Sequence, residues 1–399
     1  MTITCSSKTE FSDFSVRPSV VLAPDSFKES RRAAEVVRQL VHGVRAVHPD
    51  ADCHAFPMTD GGEGFLETLS AACGGVRKEV LTSDPLRRPK VAEIGLLTTG
   101  DGRLTAVVEV ARAIGLEELG PSQRRPLATS SFGLGALLRA ALAEKPDRIL
   151  VGLGGSATVD GGVGFAQAMG AEFFDVTGER MSAPLVGGDL GAIARVDCAA
   201  LRQRFAEIEL VALCDVSTPV LDRAGKPGAA RLYGPQKGAS PQDVELLSAG
   251  LANLFGEVRS EVGSLPGGGA AGGLGAGLVA FCGARLVRGV AEVIRLLGLR
   301  RVLATADLVL TGEGALDEQT SEGKVVAGVA AEARRAGVPV VAIVGQLRFD
   351  IALAREQLGL DGVLSLAERA GSIEQALACT DELLRELASE ATRRWLSVR

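Results

Sequence analysis

The stretch SVVLAPDSF, residues 19–27, carries four apolar residues, Val20 to Ala23, into Pro24 and then into Asp25 and Ser26. A short unbroken apolar run closed by a proline reads as a strand buried on both faces. A helix is expected from near Ser30, where Val36, Leu40 and Val44 fall four apart and Val37 and Val41 widen the stripe. Pro49 ends it. ADCHAFPM (51–58) reads as a second short strand, and DGGEGFLETLSAACGG (60–75) as a glycine turn, a helix and a glycine stop.

The pattern then changes. Residues 76–125 alternate short β-like runs with turns such as SDPLRR and GDGR, which reads as an antiparallel segment. FGLGALLRAALAEK (132–145) is a helix, and RILVGLGG (148–155) a strand entering a glycine loop; 171–265 gives no clear pattern. From about residue 290 the strand–helix alternation returns: ADLVLTGEG, GKVVAGVAAEARRAG, VPVVAIVG and DGVLSL, with one long terminal helix over 372–396. Such alternation predicts a parallel sheet covered on both faces. The two ends of the chain share it and the middle does not. The expected architecture is α/β, a doubly wound parallel sheet built from both ends, with a large second α/β domain inserted.

Composition narrows the function. Hydrophobic residues make up 46% of the 399, enough for sizeable cores. Aromatics at 4% and a net charge of −6 argue against nucleic acid, which needs stacking platforms and phosphate-binding cations. The seven cysteines, at 5, 53, 73, 198, 214, 282 and 379, form no CxxC pair, so reduced thiols and a cytoplasmic location are expected. His42, His48 and His54 are spaced by six and do not share a helical face, which disfavours a histidine metal site. Residues 1–17 lack an apolar leader core and are expected to be a disordered extension. The uncharged run 265–284 is too rich in glycine to favour a membrane and reads as a glycine loop running into a helix.

In a doubly wound sheet, ligands bind beyond the carboxyl ends of the strands. APDSFKES, TDGGEG, GLGGSATVDGG, CDVSTP and TGEGALDEQT all sit at such ends. One Asp at a strand end ordinarily caps a helix or forms a turn. Three glycine-rich turns and at least four acidic residues recurring at predicted strand ends point instead to a shared cleft. LGGSATVDGGVG (153–164) puts five glycines in twelve positions beside Asp160. Bare backbone amides suit phosphate oxygens. Carboxylates suit Mg2+ or a hydroxyl proton, and lysines add positive charge, a combination that describes phosphoryl transfer. No P-loop signature is present, and GGLGAG (272–277) lacks the dinucleotide spacing.

Six collinear blocks carry a closer resemblance: APDSFKES (23–30), DGGEG (60–64), GLGGSATVDGG (152–162), YGPQKGA (233–239), GGAAGGLGAGL (268–278) and TGEGALDEQT with GK (311–324). From about residue 18 to 395 the chain resembles the bacterial glycerate kinases of the kind that pairs with tartronate semialdehyde reductase. The resemblance implies ATP- and Mg2+-dependent phosphorylation of D-glycerate, usually to 2-phosphoglycerate. It also implies a flavodoxin-like domain, 18–64 with 291–399, and an inserted α/β domain, 65–290.

Matched to the family's blocks, Lys28, Asp60 and Asp160 are the catalytic candidates, Asp60 or Asp160 accepting the hydroxyl proton, with Glu63 and Lys324 in the same blocks. Ser26, Gly154, Gly155, Ser156, Thr158, Lys237, Gly272, Gly273 and Gly275 are the nucleotide-binding candidates, and Asp215, Glu313 and Asp317 the metal candidates. The expected partner is a small-molecule substrate, with no nucleic acid or membrane and a homodimer as the candidate assembly. Val159 and Thr218 stand where the family commonly has Asn, and Ala315 where it usually has Arg. An absent Arg removes a bidentate partner for carboxylate or phosphate. That keeps two alternatives open: a kinase of the same fold acting on a different small hydroxy acid, and a non-catalytic glycerate or nucleotide sensor.

Overall fold

The computed structural model describes residues 17–27, 30–62, 64–223, 225–316, 324–348 and 350–396. Its first sheet contains β1 (Ser19–Pro24), β2 (Asp52–Ala55), β11 (Leu308–Leu316), β12 (Val340–Leu347) and β13 (Gly362–Ser365). The strands are all parallel, in the order β13-β12-β11-β1-β2. Renumbered along the chain within this sheet, that is 2-1-3-4-5, the flavodoxin-like order, whose switch point lies between β1 and β11.

The second sheet takes its strands from the middle of the chain. They are β3 (Val76–Ser83), β4 (Pro89–Thr98), β5 (Leu104–Glu109), β6 (Arg148–Gly152), β9 (Glu209–Leu213) and β10 (Arg285–Val287), in the order β10-β9-β6-β5-β4-β3. β3, β4 and β5 pair antiparallel, as the turns in 76–125 predict, but β5 then runs parallel to β6. A separate two-stranded sheet, β7 (Glu172–Phe174) with β8 (Arg195–Asp197), falls in the stretch 171–265 that has no clear sequence pattern.

Alternation along the strands divides the interior into layers. Val20, Leu22, Leu308 and Leu310 face the helices Ala33–Val47 and Thr380–Trp395. Val21, Ala23 and Val309 face a middle layer of helices, Phe65–Cys73, Gly289–Leu297 and Val325–Ala336. The opposite side of that layer meets Val107, Leu150 and Val211 of the second sheet. Ala106, Ile149 and Ala212 turn to a third core. The central strands of both sheets are thus buried on two faces, whereas β2 and β3 at the edges are largely exposed. Each buried Val or Leu of this kind stabilises the fold by about 1.5–3 kcal/mol.

Two sequence expectations shift. The first helix starts at Ala33, three residues late, because Phe27 and Arg31 close a tight bridge before it. The terminal helix over 372–396 is two helices, Ile373–Ala378 and Thr380–Trp395, separated by Cys379 at a non-helical φ of −115° and ψ of 26°. No helix among the described residues is long and apolar enough to cross a membrane.

The run 268–277 is explained by packing. The helix Ala270–Cys282 is regular only after Gly273, since Ala271, Gly272 and Gly273 all have left-handed backbone. A Cβ on Gly272 would overlap the carbonyl oxygen of Thr158, and one on Gly277 the carbonyl oxygen of Gly161. The helix therefore lies backbone to backbone on the loop 158–162. Gly283, which ends the helix, is left-handed too but faces open space. Gly283→Ala should cost about 1–2 kcal/mol, the left-handed penalty for an L residue. Gly272→Ala should cost about 1–3 kcal/mol more, because the overlap forces a backbone shift. Urea unfolding of both variants checks this, and equal midpoints would contradict the close-packing account.

Candidate active site

The site begins at the loop after β2. Met58 donates its N–H to the carbonyl of Pro24 (2.9 Å), which keeps this segment beside the end of β1. The loop then turns at Gly61 (φ 88°) and crosses to the second sheet. A Cβ on Gly152 would stand 2.6 Å from the Gly61 carbonyl oxygen, and one on Gly61 would stand 2.9 Å from Leu213 Cβ. Only glycines let the loop rest on the carboxyl ends of β6 and β9. Asp60 is held there by its own turn, its Oδ1 accepting from Gly62 N–H at 2.9 Å. Glu109, at the end of β5, accepts from the N–H groups of Gly64 and Leu66 (both 3.1 Å) and anchors the following helix.

β6 feeds the glycine loop. Leu116 N–H bonds to Gly155 O, and Ala157 N–H to Ile114 O, both at 2.8 Å, so the loop is pinned from one side. Gly155 is left-handed at φ 72°. The amides of Gly154, Gly155 and Ser156 meet no acceptor among the described residues. Successive free amides with one left-handed residue among them form a concave anion-binding nest. Lys237 enters from the turn Pro235–Lys237, donating to Ser156 Oγ (2.9 Å) and Thr158 O (2.8 Å). Burial pushes its ammonium down to about 7, with the charge of Asp160 working in the opposite sense.

β9 supplies Asp215. Cys214 N–H bonds to Val287 O at 2.9 Å, tying the strand end to β10. Asp215 Oδ1 accepts from Gly289 N–H (3.1 Å), at the start of the helix Gly289–Leu297. Its Oδ2 is buried and has no hydrogen-bond partner among the described residues. Burial, and then the neighbouring Asp60 charge, raise this carboxyl to about 7. A cavity of about 360 Å3 joins these parts, lined among others by Asp60, Gly154, Gly155, Ser156, Asp215 and Lys237. Tyr233, Gln236 and Ala271 complete it, and none of the three was singled out in the sequence. Tyr233 and Gln236 sit inside the YGPQKGA block, so their signal was present there. Ala271 has a left-handed φ of 54°, unusual for a residue with a Cβ and invisible in the sequence.

Other candidates lie elsewhere. Asp160 does not reach the cavity: it is fully buried, and it accepts from Ser131 N–H and Oγ–H (both 2.7 Å), Gly162 N–H (3.1 Å) and Gly164 N–H (3.3 Å). Burial raises its carboxyl, and these bonds oppose the rise. It pins the loop to the Ser131 turn and has no oxygen facing a substrate, which corrects its assignment as a base. Gly272, Gly273 and Gly275 do not line the cavity, although Ala270 and Ala271 beside them do; they pack against the loop 158–161, Val220, Leu251 and Gly267, and this packing role corrects their assignment to phosphate. Thr158 contributes its carbonyl to Lys237, and its side chain is buried.

Ser26 lies at the β1–β11 switch point, its N–H on Asp25 Oδ1 (2.6 Å), and the buried Glu313 lies on β11; neither lines the cavity. Lys324 precedes the helix Val325–Ala336. Lys28, Glu63 and Asp317 are outside the described residues. Among the described residues no three His, Cys, Asp or Glu side chains cluster as a metal site. Of the three departures from the family pattern, Val159 is buried in the core behind the loop and Ala315 pairs with Gln346 on the first sheet. Thr218 bonds to a cavity residue, its Oγ1 accepting from the Tyr233 hydroxyl at 3.0 Å.

A sequence model of the glycerate kinase family matches residues 20–396. A glycerate kinase from Halalkalibacterium halodurans is 42% identical over 374 residues, 93% of this chain and 96% of its own length. A glycerate 2-kinase from Escherichia coli K12 is 38% identical over 361 residues, 90% of this chain and 92% of its own. A crystal structure from Salmonella typhimurium LT2 superposes with a TM-score of 0.81 at 40% identity, covering 95% of this chain and 98% of that one.

The buried ammonium makes a pH-dependent contribution to stability. Folded, Lys237 releases its proton near pH 7; unfolded, it does so near 10.4. Between those values the unfolded chain binds the extra proton, so stability rises with pH by up to about 1.4 kcal/mol per unit. Relative to Lys237→Met, the wild type should therefore gain stability from pH 7 to 10 and show no such trend below 7. Urea unfolding across that range measures it, and a pH-independent difference would contradict the burial of this charge.

Proposed function

The chain belongs to the glycerate kinase family, and on that premise we propose that it transfers the γ-phosphoryl group of ATP to the 2-hydroxyl of D-glycerate with Mg2+ present. The observation that carries this reading is the pairing across one cavity of a free amide nest with a carboxylate oxygen that has no partner. The nest of Gly154, Gly155 and Ser156 fits phosphate oxygens. Lys237 adds a cation beside it, which an incoming anion would hold protonated.

Asp215 Oδ2, buried and unpaired, fits a divalent cation, with the Asp60 carboxylate close enough to perturb it. When bound, Mg2+ would neutralise charge on the transferring phosphoryl group. Ser26, for the nucleotide, and Glu313, for the metal, belong to the switch-point side of the cleft in this proposal, and Lys28 and Asp317 enter it through the family's blocks alone. Asp60 is the remaining base candidate on the cavity wall. It accepts the hydroxyl proton while the substrate oxygen bonds to the γ-phosphorus and the bond to the β-phosphate oxygen breaks, releasing ADP. A loose, metaphosphate-like transition state asks mainly for positioning and charge stabilisation, so an ordinary carboxylate suffices. The same reading places the protein in the cytoplasm and keeps a homodimer as its assembly. It sets the domain boundaries at 18–64 with 291–399, and 65–290.

ADP release coupled to D-glycerate, with phosphorus NMR of the product, tests the reading. The expected product is 2-phosphoglycerate. Turnover only on another hydroxy acid would favour a shifted specificity, and binding without turnover would favour a sensor. Asp60→Asn should lower kcat by about 10²–10⁴-fold, the range for a lost general base, while ATP still binds. Unchanged turnover would remove Asp60 from the role.

A further inference from the structure

A second hollow of about 320 Å3 adjoins the first. The two share Cys214, Asp215 and Val216, so these three consecutive residues, with Asp215 between the other two, face both hollows. Their chemistry differs. The first has the amide nest and Lys237; the second has Arg288, Ser217 and the apolar side chains of Leu286, Val287 and Pro266.

Arg288 is exposed, and its guanidinium makes no hydrogen bond or ion pair with any described residue. Its backbone is nonetheless fixed. It is the N-cap of the helix Gly289–Leu297, next to Val287, whose carbonyl accepts from Cys214 N–H, and Gly289, whose N–H is on Asp215. A Cβ on Gly289 would overlap the Asp60 carbonyl oxygen and crowd Asp215 Oδ2, so this turn packs directly against both acidic residues. A guanidinium with no hydrogen bond or ion pair among the described residues, carried on a fixed backbone and near enough to Asp215 for its charge to favour that carboxylate, stands beside a hollow of small-molecule size and is suited to a ligand carboxylate through two parallel N–H···O bonds.

We propose that the second hollow takes the acceptor acid, with Arg288 binding its carboxylate. Ser217 meets one hydroxyl of the acid, and the reacting hydroxyl reaches past Asp215 to Asp60 on the wall of the first hollow, where acceptor and phosphate donor come together. This deepens the kinase reading and rests on it. It also separates the acid from the nucleotide: the polyphosphate lies on the Lys237 side of Asp215 and the acid on the Arg288 side. The charge of Arg288 then selects a hydroxy acid over a neutral polyol, a specificity the family's glycine blocks do not supply.

Steady-state kinetics of wild type, Arg288→Lys and Arg288→Ala test it, with D-glycerate and with glycerol, which lacks the carboxylate. Calorimetric titration of D-glycerate without ATP gives a second readout. For Arg288→Ala the expected result is a KM for D-glycerate raised about 10–100-fold, with the KM for ATP unchanged, and a D-glycerate Kd raised in parallel. Arg288→Lys should fall between, and the preference for D-glycerate over glycerol should shrink in both. An unchanged KM and Kd for D-glycerate in variants that still turn over would overturn the proposal and leave the kinase reading standing. A raised KM for ATP instead would give this hollow to the nucleotide and also overturn it. Should wild type release no ADP with D-glycerate, the kinase reading fails, and titration decides separately: acid binding lost in Arg288→Ala supports the hollow, and no acid binding at all overturns it.

Discussion

There is no room for a methyl group between Gly152 and the carbonyl of Gly61, and the site depends on that contact. The loop 59–62 starts on the first sheet and must end on the carboxyl edge of the second. If it stood off by one side-chain thickness, Asp60 would leave Asp215, and the Gly289 turn would lose its seat on the Asp60 carbonyl. Backbone contact between segments far apart in sequence costs the entropy of each glycine, about 0.5–1 kcal/mol relative to alanine. The middle helix layer offsets that cost by burying apolar side chains from both sheets in one core.

Once the loops are close, charge follows. Three charged side chains end up buried near the junction and a fourth, Asp215, half-buried, and each is satisfied differently. Asp160 takes four donors from its own loop and the Ser131 turn, and it acts as a brace. Glu109 takes two amides at a helix start. Lys237 takes two oxygens and remains at the cavity wall. Asp215 is bonded through Oδ1, and its Oδ2 finds no donor among the described residues. A buried carboxylate oxygen without a donor costs free energy unless something else completes it. That asymmetry separates the groups that hold the fold from the group that waits for a ligand.

Much of this was legible in the sequence, and the limits have physical causes. The strand run Val20–Ala23 and its counterparts near the C terminus revealed the split sheet, because a fully buried parallel strand is written as continuous apolar residues. The glycine blocks located the cleft. Their individual roles were not legible, because a glycine that cradles a phosphate and one that admits another backbone look the same in one dimension. Gly154 and Gly155 line the cavity, whereas Gly272, Gly273 and Gly275 pack against chain. Asp160 and Asp60 both stand beside a glycine pair, and only burial tells brace from candidate base. Arg288 lies in no motif, and its importance comes from the hollow that the fold forms around it.

The central claim is that the carboxyl ends of both sheets form one ligand site. Hydrogen exchange with a non-hydrolysable ATP analogue, Mg2+ and D-glycerate together tests it most directly. The account predicts slowed exchange in three separate segments at once: 58–62 from the first sheet, and 153–158 and 213–217 from the second. Protection confined to 24–27 and 311–316, at the β1–β11 switch point, would place the ligands on the first sheet alone and contradict it.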